Sequence, residues 1–376
     1  MIWFLIFIFT CYSILIISLS IGFHKVDEFK TEKKIEINSF SVIIPFRNEA
    51  KNLPHLLTSI SKINYSNNLV EFILVDDDST DNSVEIINRF IENYEVGYNQ
   101  KNIFKVLKNN RTSNSPKKDA ITTAIVIAKN DWIVTTDADC ILPINWLKKL
   151  DSFIQEKEPK MVVAPVNYNV ENIFLEQFQL LDFMSMQGTT IGGFGINFPF
   201  LCNGANFTYK KEAFLKLNGF AGNNSIASGD DIFLLEKFIK SDKKSVLYLK
   251  SDEAIVTTFP VKSWTDLLNQ RTRWAAKSSN FSSFKVKLIG LLVLLVNFLV
   301  IYYLFLGSLA MLFIPFVLKM IVDLFLFLPT IKFFKIKSSF YKWYVFASLL
   351  YPFFSILVVF KSIFFKYNWK GRRFKK

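Results

Sequence analysis

Histidine and cysteine are scarce in this sequence of 376 residues, which contains two histidines and three cysteines. Neither histidine, His24 or His55, lies near the acidic segments of the chain, so a zinc site is not expected. The cysteines are scattered and form no CxxC pair, which gives no disulfide framework and suits a reducing cytosol. Neither GxGxxG nor GxxxxGKS/T occurs, so the sequence indicates neither a dinucleotide-binding loop nor a P-loop.

Charged residues are missing from the first stretch of the chain, Met1 to Phe23. A helix of that length can cross a hydrocarbon core of roughly 30 Å. A cleaved signal peptide is the alternative, but the basic n-region is missing and the apolar run is too long for one. We therefore predict a retained transmembrane helix over residues 1–23.

A second apolar zone, residues 285–365, predicts two or three further spans. Leu288–Gly307 is free of charge and is typical of a span. Ser308–Thr330 predicts another, although it carries two charged residues. Trp343–Phe360 predicts a third, broken by Pro352.

The net positive charge of the chain comes from this second apolar zone and its flanks. From Lys285 onward there are 14 Lys and Arg against one acid, Asp323, whereas residues 1–284 carry 31 of each sign. Asp323 follows Lys319 by four residues, so the two can pair on one helix face. A basic excess of this kind, which includes the tail 366–376, indicates anionic lipid and membrane topology rather than nucleic acid.

The basic segments leave one question of topology open. Residues 25–34, 332–342 and 366–376 are all basic, so each favours the cytoplasmic side of the membrane. Three spans after the soluble region would place the tail on the other side. Either the segment 340–365 is re-entrant or interfacial, or the tail departs from the rule.

Residues 38–284 alternate short apolar runs with helix-like segments, as an α/β domain does. The apolar runs predict strands at Ser41–Pro45, Glu71–Val75, Ile103–Leu107 and Trp132–Thr136. Between them lie helix-like patterns at 52–63, 82–94 and 118–129. Alternation at this spacing predicts βαβ units and a mainly parallel sheet.

Charged and polar residues follow three of these strands, at the carboxyl edge where parallel sheets bind ligands. They are Arg47, Asn48 and Glu49 after the first, Asp76 to Asp81 after the second, and Asp137 and Asp139 after the fourth. The pattern Asp-x-Asp suits Mg²⁺ or Mn²⁺, held by one or two carboxylates with substrate phosphates completing the shell. Helix capping is the alternative, and we favour it for Ser79 and Asp81. Pro143 follows Asp139 too closely for a capped helix to begin there, so for that pair we favour the metal.

Five segments occur in a recognisable order: SVIIPFRNEAKNL, ILVDDDSTDNS, TTDADC, GDDIFLLEKF and QRTRW. With them the chain resembles the glycosyltransferase family 2 enzymes, of the membrane-bound kind that includes cellulose, chitin and hyaluronan synthases. The resemblance covers about residues 38–280 and the layout of the flanking spans. It implies a GT-A fold, which is an α/β domain with a mainly parallel sheet, together with a nucleotide-sugar donor and inversion at the anomeric carbon.

The resemblance also implies a donor pocket along the carboxyl edge. Asp77, and after it Asp76, are expected to contact the nucleobase and ribose. The backbone at Pro45 and Arg47, with Glu49, is expected to form another wall of that pocket. A UDP-linked sugar is the expected donor.

The chemical step has its own expected residues. By the resemblance, Asp137 and Asp139 hold Mg²⁺ or Mn²⁺ against the donor diphosphate, where the metal neutralises charge on the departing nucleoside diphosphate. Asp231 is the expected general base, with Asp230 standing where the family has Glu. The alternative is that both acids only open the helix predicted over residues 232–239.

Gln270, Arg273 and Trp274 match the family's Q-x-x-R-W motif. Their spacing places them on one helix face, where Arg can bond a phosphate and Trp can form an aromatic wall for the donor. The alternative is an interfacial helix before the membrane, anchored by Trp264 and Lys277.

Two further segments carry expectations with open alternatives. Lys118, beside Lys117, is expected to meet the donor, or else to be a solvated lysine at the start of a helix. The segment CNGANFTYKKEAF is similar to the acceptor channel of the family, so Asn203, Gly204 and Asn206 are expected to bond sugar hydroxyls. A turn built on Gly204 is the equal alternative.

These expectations converge on a membrane-bound, metal-dependent, inverting glycosyltransferase in the cell inner membrane, with its catalytic domain in the cytoplasm. The acceptor is expected to be lipid-linked or a glycan, with membrane lipid as a further partner and no nucleic acid. A processive polysaccharide synthase is the alternative, because Q-x-x-R-W is frequent in polymerising members, but three or four spans are few for a long polymer. A non-catalytic membrane protein and a nucleotidyl or phosphoryl transferase are the remaining alternatives.

The glycine-rich stretch Gly188–Phe198 is expected to be a mobile loop near the membrane.

Overall fold

The computed structural model describes residues 2–31, 33, 35–98, 103–224, 226, 228–277, 280–306 and 313–374. Within them the helices are α1 Ile2–Lys25, α2 Leu53–Ile60, α3 Ser83–Tyr98, α4 Pro116–Ile127, α5 Trp146–Lys157, α6 Phe174–Gly195, α7 Lys211–Lys216, α8 Asp230–Asp242, α9 Trp264–Ala276, α10 Phe284–Leu306, α11 Ile314–Phe333 and α12 Ser339–Phe364. The strands are β1 Phe40–Phe46, β2 Val70–Asp76, β3 Phe104–Lys108, β4 Trp132–Thr135, β5 Met161–Val163, β6 Val166–Tyr168, β7 Phe207–Lys210, β8 Val246–Tyr248, β9 Val256–Thr258, β10 Tyr367–Trp369 and β11 Arg372–Phe374. The start of the span predicted from Ser308 lies outside the described residues. Parts of the basic segments 25–34 and 366–376 also lie outside them.

The chain divides into two compact units. The α/β unit comprises Asp27–Asn167 and Cys202–Phe259, and the helical unit comprises Met1–Val26, Tyr168–Leu201 and Pro260–Lys376. Helices α6 and α9 therefore cluster with the helical unit, although the sequence analysis placed them inside the soluble region 38–284.

A seven-stranded sheet forms the core of the α/β unit, in the order β3-β2-β1-β4-β7-β5-β8. The first four strands run parallel, which confirms the predicted mainly parallel sheet. β7 runs antiparallel to both β4 and β5, and nothing in the sequence had indicated it. The central strands are apolar almost throughout because helices cover both faces of a sheet of this kind.

Pro45 explains where this sheet opens. A proline interrupts a hydrogen-bond ladder and is tolerated only where a partner strand is missing. β1 is in register with β4 only as far as Ile43 opposite Thr135, while on its other side it stays paired with β2 up to Phe46. The end of β1 is therefore free on the β4 side. The strand order reverses between β1 and β4, and this is where open α/β sheets hold a ligand crevice.

The helical unit contains four helices long and apolar enough to cross a membrane, among the residues the structure describes. They are Ile2–Lys25, Phe284–Phe305, Ile314–Phe333 and Ser339–Phe364. The third C-terminal span was expected to break at Pro352, and this expectation is wrong, because α12 continues through that residue. The neighbouring turns and helices support the helix on both sides of the proline.

The glycine-rich segment of this unit is a helix rather than a mobile loop. Gly188, Gly192 and Gly195 all lie in α6. A Cβ atom at Gly192 would collide with the backbone oxygen of Leu19 in α1, and one at Gly195 with the backbone oxygen of Gly22. The glycines thus let two helix backbones touch, as small residues do in membrane bundles. Glycine alone favours loops locally, and this tertiary contact outweighs that preference.

Candidate active site

Two loops at the carboxyl edge of the sheet are bonded into one wall. Asn48, after β1, and Asp78, after β2, both adopt left-handed backbone conformations, with φ of 52° and 67°. The Asn48 side-chain oxygen accepts a hydrogen bond from the Thr80 amide at 2.8 Å, and Asp81 accepts one from the Ala50 amide at 3.0 Å. These cross-links hold the two loops in one geometry.

Asp77 is the buried acid of this wall, with 5% of its surface exposed. Its Oδ1 accepts hydrogen bonds from Asn109 Nδ2 at 2.8 Å and Arg111 Nε at 2.6 Å. Arg47 donates to the backbone oxygens of Asp77 and Asp78 from the other side. The Asp77 carboxylate can accept hydrogen bonds and the two guanidinium groups can donate them. A nucleoside carries partners for both kinds of group.

Sequence reasoning missed Arg111 and Asn109. The available signal was their position, since both follow β3 and hence reach the same carboxyl edge as the other loops.

Asp76 and Asp81 form hydrogen bonds within the second loop and its flanks. Asp76 Oδ1 accepts from the Ser79 amide at 2.9 Å, which closes a turn. Asp81 accepts from the amide of Ser83 at 3.1 Å and from its hydroxyl at 2.5 Å, at the start of α3. This confirms the capping interpretation of Asp81, whereas Ser79 accepts from the Asn48 amide instead. Burial opposes ionisation of Asp81, but the hydrogen bonds from Ser83 and Ala50 hold its pKa below the usual value.

Glu49 belongs to the same loop network. Its side chain accepts from Asn52 Nδ2 at 2.6 Å, and its backbone amide donates to Ser83 Oγ at 2.8 Å. Glu49 is 7% exposed. The predicted wall of Pro45, Arg47 and Glu49 is therefore one continuous backbone segment that leads from β1 into the loop, and Glu49 anchors its far end.

Lys117 joins the strand acids to the helix acids. Its Nζ lies 2.6 Å from Asp137 Oδ1, after β4, and 3.2 Å from Asp230 Oδ2, in α8. Burial alone would lower the pKa of Lys117, but the carboxylates of Asp137 and Asp230, with Asp231 beyond them, raise its pKa above the ordinary value. The ammonium stays charged and compensates acids that would otherwise repel one another.

Lys118 does not reach this cluster, although the sequence analysis chose it for the donor. Its Nζ donates to the backbone oxygens of Asn223 at 2.7 Å and Ile226 at 2.9 Å, and it lies 5.1 Å from the centre of the Phe233 ring. The residue is 1% exposed. Successive helix residues point about 100° apart, so only one of two adjacent lysines can face the acids.

The two acids of α8 begin the helix and lie next to Gly204. Gly229, with φ of 84°, precedes them, and Asp231 Oδ1 accepts from the amide of Ile232 at 2.7 Å. A Cβ atom at Gly204 would lie 3.1 Å from Asp230 Oδ2 and 3.5 Å from the Asp231 Cβ. Gly204 therefore packs closely against Asp230 and Lys117, and a side chain at this position would crowd them.

The other two predicted acceptor residues are placed differently. Asn203 Oδ1 accepts from the Ala205 amide at 2.9 Å and so shapes the turn at Gly204. The Asn206 side chain is completely buried and its hydrogen bonds go to the protein core, to Trp146 Nε1, Pro165 O and Ala254 O. Of the three, the structure therefore puts only Gly204 and the turn that Asn203 forms beside the acids.

The predicted metal site consists of two aspartates that follow β4. Asp137 and Asp139 lie in the turn after β4, and both are partly exposed. Burial raises the pKa of the Cys140 thiol, and the nearby carboxylates of Asp139 and Asp137 raise it further. Among the described residues, no group of three or more His, Cys, Asp or Glu is placed to hold a metal. The residues fit a hard divalent ion whose shell is completed by donor oxygens, and not one held by protein alone.

The Q-x-x-R-W motif lies in α9 and hence in the helical unit. Ser263 accepts from the Asp266 amide at 3.1 Å and caps the helix. Gln270, Arg273 and Trp274 are partly exposed, whereas the neighbouring Arg271 is buried. Sequence reasoning missed this residue because the motif skips it.

Arg271 forms the polar centre of that helix. It makes a buried ion pair with Asp182 of α6, and its guanidinium carbon lies 4.2 Å from the centre of the Trp274 ring. Arg271 also donates to the side chain of Gln270. The ion pair links α9 to α6, and the contacts with Gln270 and Trp274 orient the Arg271 guanidinium group.

Comparison with known proteins gives this geometry its context. The model of glycosyl transferase family group 2 matches residues 132–360, and that of glycosyl transferase family 2 matches residues 41–217. Glycosyltransferase GlyG of Streptococcus pneumoniae is 34% identical over 124 residues, which is 33% of this chain and 38% of that protein. Beta-monoglucosyldiacylglycerol synthase of Nostoc sp. is 23% identical over 266 residues, or 69% of this chain and 53% of that one. The chain thus spans about two fifths to half of the length of these relatives.

A solved structure has the same fold. The mannosyltransferase PcManGT of Pyrobaculum calidifontis, in complex with GDP-Man and Mn²⁺, superimposes with a TM-score of 0.56 at 14% identity. The match covers 96% of this chain and 97% of that one. At this identity the likeness extends to the fold, an α/β GT-A-like domain with a mostly parallel sheet, and to nothing finer.

Proposed function

This chain belongs to glycosyl transferase family group 2, and we propose that it is a membrane-bound, inverting glycosyltransferase that transfers a sugar from a nucleotide donor to a membrane lipid. One observation carries the proposal. The ammonium group of Lys117 contacts both Asp137, which follows β4, and Asp230, at the start of α8. Acids from separate segments thus share one ligand position at the carboxyl edge of the sheet.

The donor nucleoside lies against the wall formed by the loops after β1, β2 and β3. The Asp77 carboxylate and the guanidinium groups of Arg47 and Arg111 orient its base and ribose. A UDP-linked sugar is the donor we favour. The support for this placement is the burial of Asp77 and its hydrogen bonds to Asn109 and Arg111, which hold the acid in a fixed direction.

Asp137 and Asp139 are the residues that would hold Mg²⁺ or Mn²⁺. When bound, such an ion neutralises negative charge on the departing nucleoside diphosphate. Lys117 holds Asp137 in place before the donor arrives, and its own positive charge lies close enough to the acids to add to this neutralisation.

Asp231 acts as the general base. Its carboxylate takes the proton of the acceptor hydroxyl while the hydroxyl oxygen attacks the anomeric carbon. The bond from that carbon to the diphosphate oxygen breaks on the opposite face, so the configuration inverts and the diphosphate leaves with the electron pair. Gly204 lies close to both acids of α8, so a larger residue there would disturb them.

A lipid acceptor and a catalytic unit on the cytoplasmic side of the cell inner membrane complete the proposal. Four helices suited to span a membrane and the excess of basic residues near them support membrane association. The Nostoc relative is named for a glucosylated diacylglycerol, which favours a lipid over a free glycan. The few candidate spans favour the addition of one or a few sugars over a long polymer, which is the second candidate.

The test is a donor screen with the purified full-length protein in nanodiscs made from bacterial lipids. UDP- and GDP-linked sugars are supplied with Mg²⁺ or Mn²⁺, and both nucleoside diphosphate and pyrophosphate are measured. We expect nucleoside diphosphate release that requires the metal, requires lipid and ends after one or a few additions. Release of pyrophosphate would replace the proposal with nucleotidyl transfer, and a product of many sugars would replace it with processive synthesis.

The matched variant for this screen is Asp139→Asn. It keeps the shape of the side chain and removes the charge that would hold the ion, so we expect metal-dependent release to fall about a hundredfold or more. Full activity of Asp139→Asn would contradict the assignment of this residue.

A further inference from the structure

A cavity of about 110 Å³ with a mixed apolar and polar lining lies inside the helical unit, between helices α1, α6, α10, α11 and α12. Four of these five are the candidate membrane spans. Apolar side chains such as Ile16, Leu181 and Leu326 form part of its lining, and polar side chains form much of the rest. Polar groups at this depth are costly in a bilayer and mark functional positions when they persist.

One ion pair dominates the polar lining. Lys319 Nζ donates to Asp323 Oδ2 at 2.6 Å, which confirms the pairing expected from their spacing. The Tyr12 hydroxyl donates to Asp323 Oδ1 at 2.5 Å. Lys319 also lies 5.9 Å and 5.5 Å from the ring centres of Tyr12 and Tyr351. The cavity therefore contains charged groups whose charges cancel.

Asn297 supplies the observation that points to a ligand. This residue of α10 lines the cavity and is completely buried. Its Nδ2 donates to the Val293 backbone oxygen at 2.9 Å, but no donor among the described residues reaches its Oδ1. A buried amide oxygen without a donor costs about 1–3 kcal/mol, so a bound group that donates a hydrogen bond would remove a real penalty.

The cavity also communicates with its surroundings. Ser185, Thr189 and Tyr351 line it and are partly exposed, so the lining extends to the surface of the helical unit. Tyr351 donates to Asp182 Oδ1 at 3.2 Å, and Asp182 is the acid that pairs with Arg271 of α9. The polar lining is therefore continuous with the helix that carries the Q-x-x-R-W motif.

We propose that this cavity binds the headgroup of a neutral, hydroxyl-bearing membrane lipid of the diacylglycerol type. A hydroxyl can donate to Asn297 Oδ1 and also accept from the Lys319 ammonium, which has more protons than the one donated to Asp323. The volume equals roughly three or four liquid waters at about 30 Å³ each, which suits the free end of a glycerol unit and excludes a whole sugar. The acyl chains would stay in the bilayer.

An anionic lipid fits the same cavity poorly. Its phosphate would need an unpaired cation, and the charge of Lys319 is already matched by Asp323. Water is the other possible occupant, and it would leave the cavity without preference for any lipid. This binding site goes beyond the proposed function, and its test uses no sugar donor, so failure of one does not imply failure of the other.

The experiment measures retention of radiolabelled dioctanoylglycerol by the full-length protein in detergent, with dioctanoyl phosphatidic acid as the charged competitor. We expect saturable binding of one dioctanoylglycerol per chain, and displacement by phosphatidic acid only at a concentration about tenfold higher or more. Absence of saturable binding, or equal competition by phosphatidic acid, would overturn the proposal.

Two variants locate the binding. Asn297→Leu keeps the size of the side chain and removes its hydrogen-bonding groups, so we expect binding about five- to tenfold weaker. Phe298→Leu, at the neighbouring exposed position of α10, is the matched control and should bind as the wild type does. Equal binding by Asn297→Leu and the wild type would place the lipid elsewhere.

A second cavity variant covers the case in which Asn297→Leu does not fold. Ser348→Leu fills the space from α12 without touching the ion pair, and its folding is checked by size-exclusion chromatography and thermal melting. We expect it to fold and to lose retention of dioctanoylglycerol. A folded Ser348→Leu protein that retains the lipid at wild-type strength would overturn the proposal.

Discussion

The ammonium of Lys117 lies 2.6 Å from the carboxylate of Asp137, and this contact holds the turn after β4 against the start of α4. The same ammonium lies 3.2 Å from Asp230. Two acids from distant parts of the chain are thereby held close together. A cation carried by the protein itself thus joins the acids at this edge of the sheet.

The first prediction concerns this lysine. Lys117→Met removes the charge that holds Asp137 and Asp230 together, and we expect kcat/KM for donor turnover to fall about a hundredfold. Lys117→Arg should recover part of the loss because it restores the charge. Lys118→Met is the matched comparison. It should lower the melting temperature instead, because two buried carbonyls lose their donor, while the KM for the donor stays unchanged. The reverse pattern would show that Lys118 is the donor contact.

Arg111 is predicted to contribute to donor affinity. Arg111→Ala removes the ion pair that orients Asp77, so we expect the Kd for the nucleoside diphosphate to rise about tenfold or more. Isothermal titration calorimetry measures this directly. Arg89→Ala removes an exposed arginine that pairs with Glu85 on α3 and should leave the Kd unchanged. An unchanged Kd in both variants would move the nucleoside away from the Asp77 wall.

Asp231 is predicted to act in the chemical step and not in binding. Asp231→Asn should lower kcat by about a hundred- to ten-thousandfold, because the acceptor proton loses its base, while the Kd for the donor changes little. Single-turnover measurements with bound donor separate the two effects. Asp242→Asn, at the other end of α8, is the control and should retain full kcat. If Asp231→Asn weakens donor binding as much as turnover, its role is in donor recognition.

Asp81 is predicted to make stability depend on acidic pH. Its pKa is lower in the folded protein than the usual value, so its hydrogen bonds stabilise the fold above a pH of about 4 and lose effect as the pH falls through the folded value. The melting temperature of Asp81→Asn should therefore lie below that of the wild type at pH 6. The difference should shrink as the pH approaches about 3. Asp131→Asn, at an exposed acid, is the control, and a constant difference for Asp81→Asn across this range would show that its charge is not involved.

Gly192 is predicted to be essential for packing of the helical unit. Gly192→Ala places a Cβ against the backbone oxygen of Leu19, so α1 and α6 must separate. We expect a cost of about 1–3 kcal/mol, seen as a lower melting temperature in detergent. Gly290→Ala in α10 is the control, because nothing lies within 4 Å of a Cβ at that position. Equal melting temperatures for the two variants would contradict the close contact.

The sequence by itself determined the elements that depend on local pattern. Continuous apolar runs such as SVIIP and EFILV specified β1 and β2, because a strand buried on both faces has no polar side to alternate. Long charge-free stretches specified the candidate membrane helices, because a bilayer core admits little else. The acidic segments after β2 and β4 were also visible, because their place in the chain follows directly from where a strand ends.

Tertiary structure alone decided which side chain faces what. Lys117 and Lys118 have the same local chemistry, and only the packing of α4 turns the first to the acids and the second to buried carbonyls. Asn206 has the composition of a sugar-binding residue, yet its position puts it in the core, where Trp146 and two carbonyls satisfy it. The physical reason is that periodicity and turn chemistry are local, whereas burial, charge pairing and close backbone contact depend on partners far away in the sequence.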